Sequence, residues 1–356
     1  KFNELQTQSR ELARQSWTGA TGIINTDVEL WEDLKTQFGP TEFRAYETTE
    51  LETTITGLVK DSQSITTAAP GDKVGIILAA TPFYAESGGQ VGDTGWLRDL
   101  PKSGAIEIEV TDTIKPGEGI ILHQAIIRQG TITTGERVIA TVDYTRRQDI
   151  MRNHSATHLL HRSLRRALGE HVVQSGSFVA PERLRFDFAH PKALSAEELN
   201  LVEKEINELV LNNYPIVTQE LNIHEAQQLG AMALFTEKYG NIVRTVIVAN
   251  NAEDALSSAK NKTAVSIELC GGTHCRRTGD IGLVHILTES SIGAGLRRIE
   301  AITGRYAYLW VKDLELKYNS IAELLKTAPD NLNNRINKLL DSQKEAEKEI
   351  LRLKDK

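Results

Sequence analysis

From Thr48 onward the hydrophobic positions of this chain tend to fall on every second residue. The runs are Thr53-Thr54-Ile55-Thr56-Gly57-Leu58-Val59, Lys73-Val74-Gly75-Ile76-Ile77-Leu78, Ala105-Ile106-Glu107-Ile108-Glu109-Val110, Ile120 to Ile127 and Arg137 to Val142. β-Branched residues alternating with polar ones, with turn signals at short intervals, predict a small antiparallel barrel or sandwich over about residues 48–145. Inside it, Pro82 to Gly95 is rich in glycine. It reads as a hairpin turn, or as a loop whose bare backbone lets a ligand come close. Ahead of the barrel, residues 2–16 suggest a short, mostly polar helix ended by Trp17 to Gly22. Val28 to Phe38 suggest a second helix, closed by Gly39-Pro40.

Beyond the barrel the period changes. Asn153 is a good N-cap for a helix running to about Leu168, with Gly169 as its stop. Gln174 to Val179 and Leu184 to Phe188 read as strands. Ser195-Ala196-Glu197-Glu198 is a capping box that opens an amphipathic helix to about Asn212. A short helix near Glu225 to Leu229, a mixed stretch from Ala231 to Tyr239, and strands at Ile242 to Val248 and Val265 to Leu269 follow. Helices and strands that interleave irregularly predict an α+β layer for residues 150–305. Tyr306 to Lys326 is helical, and Pro329 breaks it. Leu332, Ile336, Leu339, Gln343, Ala346, Ile350 and Leu353 then make a heptad seam. Such a seam suits a helix docked on its own domain, a hairpin, or a coil through which two chains self-associate.

Composition narrows the class. At 356 residues two or three domains are expected. A net charge of -7 argues against a surface coated in basic residues, while leaving room for a local phosphate-binding patch. Two cysteines, Cys270 and Cys275, form no disulfide framework and fit a reducing cytoplasm and metal or thiol chemistry. The longest apolar run, near Val74 to Ala80, is too short to span a bilayer, so no membrane partner is expected. No signal peptide opens the chain, and the first residue is Lys1 rather than Met, which suggests an excised piece.

The chemistry gathers in two short stretches, His154-Ser155-Ala156-Thr157-His158 and Cys270-Gly271-Gly272-Thr273-His274-Cys275. His154, His158 and Cys270 with either His274 or Cys275 would complete a tetrahedral nitrogen and sulfur site of the kind zinc prefers. His161 shares the helix face. Ser155 follows His154 where a metalloprotease would carry glutamate, so a protease is disfavoured. Four protein ligands suggest a structural metal; the Gly-Gly turn, Thr157, Gln174, Thr273 and the arginine stripe Arg162, Arg165, Arg166 suggest a cleft. A zinc hydrolase and a zinc-stabilised binding domain both satisfy these residues.

The chain resembles the editing region of the alanyl-tRNA synthetases and the related free-standing alanyl-tRNA editing proteins. The residues that carry the resemblance are Phe83 to Gln90, Asn153 to Leu160, Gln174 to Ser177, Leu184 to Phe188, Ala233 to Gly240, Ile267 to His274 and Gly293 to Ala301. They cover about residues 80–305 in the family's order. Threonyl-tRNA synthetase editing domains share a similar ligand layout, but the Gly88-Gly89-Gln90 stretch favours the alanine family.

The resemblance implies hydrolysis of the ester between serine or glycine and tRNA(Ala). It implies one zinc on His154, His158, Cys270 and His274, with Cys275 outside the set. It places Gln174 and the Gly88-Gly89-Gln90 loop at the substrate; Thr157 and Thr273 join them as candidates for sensing serine's hydroxyl. Arg162, Arg165, Arg166, Arg276, Arg277, Arg297 and Arg298 are candidates for tRNA contact. ATP-dependent charging is expected only of a full-length synthetase, since nothing before residue 48 could form an aminoacylation domain. The expected organisation is α+β. A helical linker (1–47) leads to a β-barrel-like domain (48–148), a zinc-containing core (149–305) and a helical coiled-coil segment (306–356). A free-standing trans-editing deacylase, or a tRNA-binding module with structural zinc, would use the same residues differently.

Overall fold

The computed structural model describes residues 28–100, 104–231 and 240–355. The expected helix at 2–16, its end at Trp17 to Gly22, and the motif stretch Ala233 to Tyr239 lie outside them.

Six antiparallel strands close a barrel: β1 (Glu50–Lys60), β2 (Lys73–Leu78), β3 (Gly95–Asp99), β4 (Glu107–Gly117), β5 (Ile120–Gln129) and β6 (Arg137–Val142). Their order is β6-β3-β4-β5-β2-β1, and pairing of β6 with β1, Arg137 opposite Thr54 through Thr141 opposite Glu50, completes the ring. The alternation seen in sequence is the alternation of inward and outward faces. Ile55, Ile76, Leu97, Ile108, Val138 and Ala140 fill the interior. β2 departs from it: Val74 to Leu78 are all buried. The cause is helix α1 (Val28–Phe38), whose Trp31 and Leu34 cover Ile77 and Leu122 on the barrel's outside.

Helix α2 (Tyr144–Leu168) leaves the barrel directly. Its N-cap is Asp143, whose carboxylate accepts from the Arg146 N–H; the expected cap, Asn153, is buried in mid-helix. The Asn153 amide donates instead to the carbonyls of Ala180 and Pro181 and accepts from the Thr303 hydroxyl. The earlier turns escape periodicity because they bury charge. Arg147 pairs with Asp93, and Asp149 with Arg152. Gly169 ends the helix as expected, its N–H bonded to the Arg165 carbonyl.

Seven further strands form two antiparallel sheets. They are β7 (Gln174–Val179), β8 (Leu184–Ala189), β9 (Ile216–Asn222), β10 (Ile242–Val248), β11 (Ser266–Leu269), β12 (Val284–Gly293) and β13 (Leu296–Thr303). One sheet runs β7-β8-β13-β12, the other β9-β10-β11. Helix α3 (Ala196–Leu211), opened by the expected Ser195–Glu198 capping box, packs with α2 over a core containing Leu159, Phe186, Val202 and Ile299. The fold is thus mixed α and β, a closed barrel joined to a helix-covered layer of sheets.

Helices α4 (Gly304–Leu324) and α5 (Leu332–Lys354) follow, joined by a 3-10 turn at Pro329–Asn331. On α5 only Leu332 is buried, and Ile336, Leu339, Ile350 and Leu353 of the heptad seam face solvent. No helix among the described residues is long and apolar enough to cross a membrane.

Candidate metal centre

Two elements converge on one point. Helix α2 presents His154 and His158 one turn apart, with rings stacked at 5.5 Å. β11 delivers Cys270, and the Gly271-Gly272 turn brings His274 back beside it. The ligand atoms of these four residues lie within 4.8 Å of one another. The Cys270 Sγ is 3.3 Å from His154 Nε2 and 3.2 Å from His274 Nε2. The turn must be glycine at its second position: a Cβ on Gly272 would sit 2.0 Å from His154 Cε1.

Each imidazole is held from outside by its other nitrogen. His154 Nδ1 meets Gln90 Oε1 at 2.6 Å, His158 Nδ1 meets Glu268 Oε2 at 2.5 Å, and His274 Nδ1 meets Ser155 Oγ at 3.3 Å. Such partners fix the tautomer that carries hydrogen on Nδ1, which turns the Nε2 lone pair inward. His158 Nε2 is buried with no hydrogen-bond partner. Three inward imidazole nitrogens, one of them orphaned, and one sulfur are a donor set that fits a tetrahedral zinc-type cation.

The cluster carries buried charge. Burial opposes a Cys270 thiolate, but the surrounding histidines, His154 foremost, outweigh burial and hold the thiol well below its usual range. Burial pushes His274 down to about 3, keeping its imidazole neutral. Burial also opposes charge on His158 and Glu268, and their mutual attraction overcomes it, raising the histidine and lowering the carboxyl. Cys275 takes no part. It packs in the hydrophobic core, its N–H bonds Ser155 Oγ, and burial pushes its thiol up to about 12. Geometry thus groups His274, and not Cys275, with His154, His158 and Cys270.

A chamber of about 290 Å³ opens on the cluster, lined by His154, His158 and Cys270 with Thr157, Gln174 and Gly271. The Thr157 hydroxyl donates to the Asn153 carbonyl, and Gln174 Nε2 donates to Ser177 Oγ. Gln90 and Thr273 meet on the other side of the ligands. The Gln90 amide nitrogen donates to Thr273 Oγ1, and its oxygen accepts from the Thr273 N–H. Gln90 is fully buried. The loop that carries it is indeed a tight turn, Ser87 pairing with Gln90 and both Gly88 and Gly89 at positive φ. It also docks on β7, where the Val179 N–H donates to the Gly89 carbonyl at 2.7 Å. A Cβ on Gly89 would fall 2.4 Å from the Ser177 carbonyl, so glycine permits that docking.

The seven arginines are dispersed. Arg162 and Arg166 share Glu205, and Arg165 caps the carbonyls of Glu170 and Val172. Arg297 pairs with Glu289, Arg298 with Asp187, and Arg277 donates to the Asn213 carbonyl. Arg276 lines a larger cleft of about 710 Å³ bounded by the segment ahead of β1, the start of α2 and strands β9 and β10; its side chain has no hydrogen-bond or ion-pair partner among the described residues. Sequence reasoning missed Glu268, Ser155, Tyr46 and Arg244, which brace the ligands. Only Glu268 left a signal: a carboxylate two residues before Cys270 on a strand lies on the same side of it.

Comparison with known proteins identifies relatives of the chain. A family model for class II (A) tRNA synthetases matches residues 1–146, which include the barrel. A second, for the threonyl and alanyl tRNA synthetase second additional domain, matches residues 244–300 and contains Cys270 and His274. An alanine–tRNA ligase of Rhizobium johnstonii is 44% identical over 355 residues, which is 100% of this chain and 39% of that protein. Another, of Rhizobium meliloti, is 44% identical over 352 residues, covering 99% of this chain and 38% of the relative. The chain therefore spans about two-fifths of the length of the curated relatives it matches. Similarity that runs across the whole chain at this identity means that it belongs to the alanine–tRNA ligase family.

Proposed function

We propose that this region proofreads: it hydrolyses the ester that joins serine or glycine to tRNA(Ala), leaving correctly charged alanyl-tRNA intact. The observation that carries the reading is the convergence of three inward Nε2 atoms and Cys270 Sγ beside a chamber too small for a folded partner. At about 290 Å³ the chamber suits an amino acid and its terminal ribose. Editing answers a physical need, because a pocket for alanine rejects glycine and a hydroxylated near-isostere poorly. A second site can hold serine's hydroxyl by a hydrogen bond that alanine cannot make. Thr157 and Gln174 stand in the chamber for that purpose, with Thr273 and Gln90 supporting the ligands from behind.

Zinc on His154, His158, Cys270 and His274 would supply Lewis acidity beside the ester. The protein's own groups orient the imidazoles, keep Cys270 as thiolate and shape the chamber. Arg276, unpaired at the larger cleft, is the arginine best placed for the tRNA backbone, and such contacts weaken steeply with salt. The exposed seam of α5 would serve self-association, and the setting is the cytoplasm. The test is incubation of the chain with seryl-, glycyl- and alanyl-tRNA(Ala); selective loss of the first two supports the reading, and equal rates for all three overturn it. One observation favours a second reading, a tRNA-binding module: four protein ligands already close a tetrahedral site. Zinc retained without any deacylation would establish it.

A further inference from the structure

The turn that carries Cys270 is gripped from the side opposite the chamber. Arg244, on β10, donates from Nη1 to the Cys270 carbonyl at 2.9 Å and to the Gly272 carbonyl at 2.7 Å. The Tyr46 hydroxyl, from the segment before the barrel, donates to the Gly271 carbonyl between them. The Arg244 guanidinium lies 4.0 Å over the Tyr46 ring, so the two side chains act as one clasp. Three successive carbonyls are thereby drawn toward the larger cleft, which Tyr46 and Arg244 line.

A trans peptide sets its N–H opposite its C=O. Drawing the carbonyls one way therefore aims the following N–H groups the other way, toward the ligands. Two of the three confirm the geometry: the Gly272 N–H points to Cys270 Sγ at 3.4 Å, and the Thr273 N–H to Gln90 Oε1 at 2.9 Å. The third, the Gly271 N–H, has no hydrogen-bond partner among the described residues, and Gly271 lines the chamber.

We infer that the Gly271 N–H is the oxyanion donor of the deacylation, with Tyr46 and Arg244 as the positioning residues that aim it; this rests on the proofreading activity proposed above. Water's oxygen bonds to the ester carbonyl carbon, and the carbonyl π electrons move onto its oxygen, which accepts from Gly271. When that oxygen re-forms its double bond, the bond to the ribose oxygen breaks, and the ribose oxygen takes the proton the water gave up. The products are the free amino acid and the tRNA with a free terminal hydroxyl.

Proline at this position deletes the donor, and alanine keeps it. An added Cβ meets only the Tyr46 hydroxyl, at 3.9 Å, so Gly271→Ala sets the baseline for the extra carbon. The zinc-loaded chain and its variants are assayed on seryl-tRNA(Ala), with zinc content measured in parallel. Gly271→Pro is expected to fall below Gly271→Ala in kcat by about 10²–10³-fold, at similar KM and zinc content. Tyr46→Phe, which frees the Gly271 carbonyl, is expected to lower kcat roughly ten- to hundredfold without change in KM or zinc. A zinc-loaded Gly271→Pro that keeps pace with Gly271→Ala overturns the assignment while leaving the deacylase in place. Should the proline variant fail to hold zinc, Tyr46→Phe at the wild-type kcat overturns it equally. An inert wild type overturns both the activity and the donor.

Discussion

Glu268 Oε2 lies 2.5 Å from His158 Nδ1, on the far side of the ring from the ligand cluster, while its other oxygen is 3.2 Å from His161 Nδ1. The carboxylate is buried, and it both orients His158 and strengthens its Nε2 as a donor. Glu268→Gln keeps the shape and removes the charge. We expect zinc affinity to drop about 10- to 100-fold, read by competition with a chelating dye, with the circular dichroism unchanged. Unaltered affinity would mean that the contact is incidental.

The two glycines of the turn are not equivalent. A Cβ on Gly272 would lie 2.3 Å from His154 Nδ1 and 2.8 Å from Gln90 Oε1, both held groups. Gly272→Ala should therefore displace His154 and leave a chain that folds but retains less than about a tenth of its zinc affinity. Full zinc loading of that variant would show that the turn is looser than its contacts imply.

A buried ion pair ties the barrel to helix α2. Arg147 Nε lies 2.9 and 2.8 Å from the two Asp93 oxygens, and its remaining donors reach the carbonyls of Ala45 and Pro82. Arg147→Met would strand the Asp93 carboxylate, which is fully buried. The expected cost is about 3–5 kcal/mol by chemical denaturation, with part of it recovered on adding Asp93→Asn. A single-variant cost under about 1 kcal/mol would contradict a dry interface.

His123 gives the barrel an acid limit. It is fully buried, donates from Nδ1 to the Ile76 carbonyl, and accepts at Nε2 from the Thr81 hydroxyl. Burial lowers its pKa from 6.5 to about 4. The folded barrel thus keeps it neutral where the unfolded chain takes a proton. Stability is intact above 6.5, falls as pH drops through that value, and levels off near 4. The loss should total about 3 kcal/mol, at about 1.4 kcal/mol per pH unit. Hydrogen exchange at the Ile76 and Leu122 amides, compared with His123→Gln, would reveal it; the same acid slope in both proteins would assign it elsewhere.

What sequence made legible is what local pattern encodes. The barrel strands could be read because most have one wet and one dry face; β2 and the first half of β5, against which α1 packs, are buried on both. The ligands could be read because His154 and His158, and likewise Cys270 and His274, are close in sequence. The start of α2 could not, because Arg147 and Asp149 are charged residues buried by partners distant in the chain. Gln90, expected at the substrate, is committed to His154 and Thr273 across the barrel boundary, a relation no spacing announces. The clasp of Tyr46 and Arg244 joins the segment ahead of the barrel to β10, and only the folded chain brings them together.

The central claim is that the ligand cluster edits. It is tested most directly by the rate of seryl-tRNA(Ala) hydrolysis against that of alanyl-tRNA(Ala), for wild type and Cys270→Ala side by side with zinc content measured. Selective seryl-tRNA hydrolysis by the wild type, lost with the metal in the variant, is the expected result. A folded, zinc-loaded wild type that hydrolyses neither, or a Cys270→Ala variant that edits as well as wild type, would contradict it.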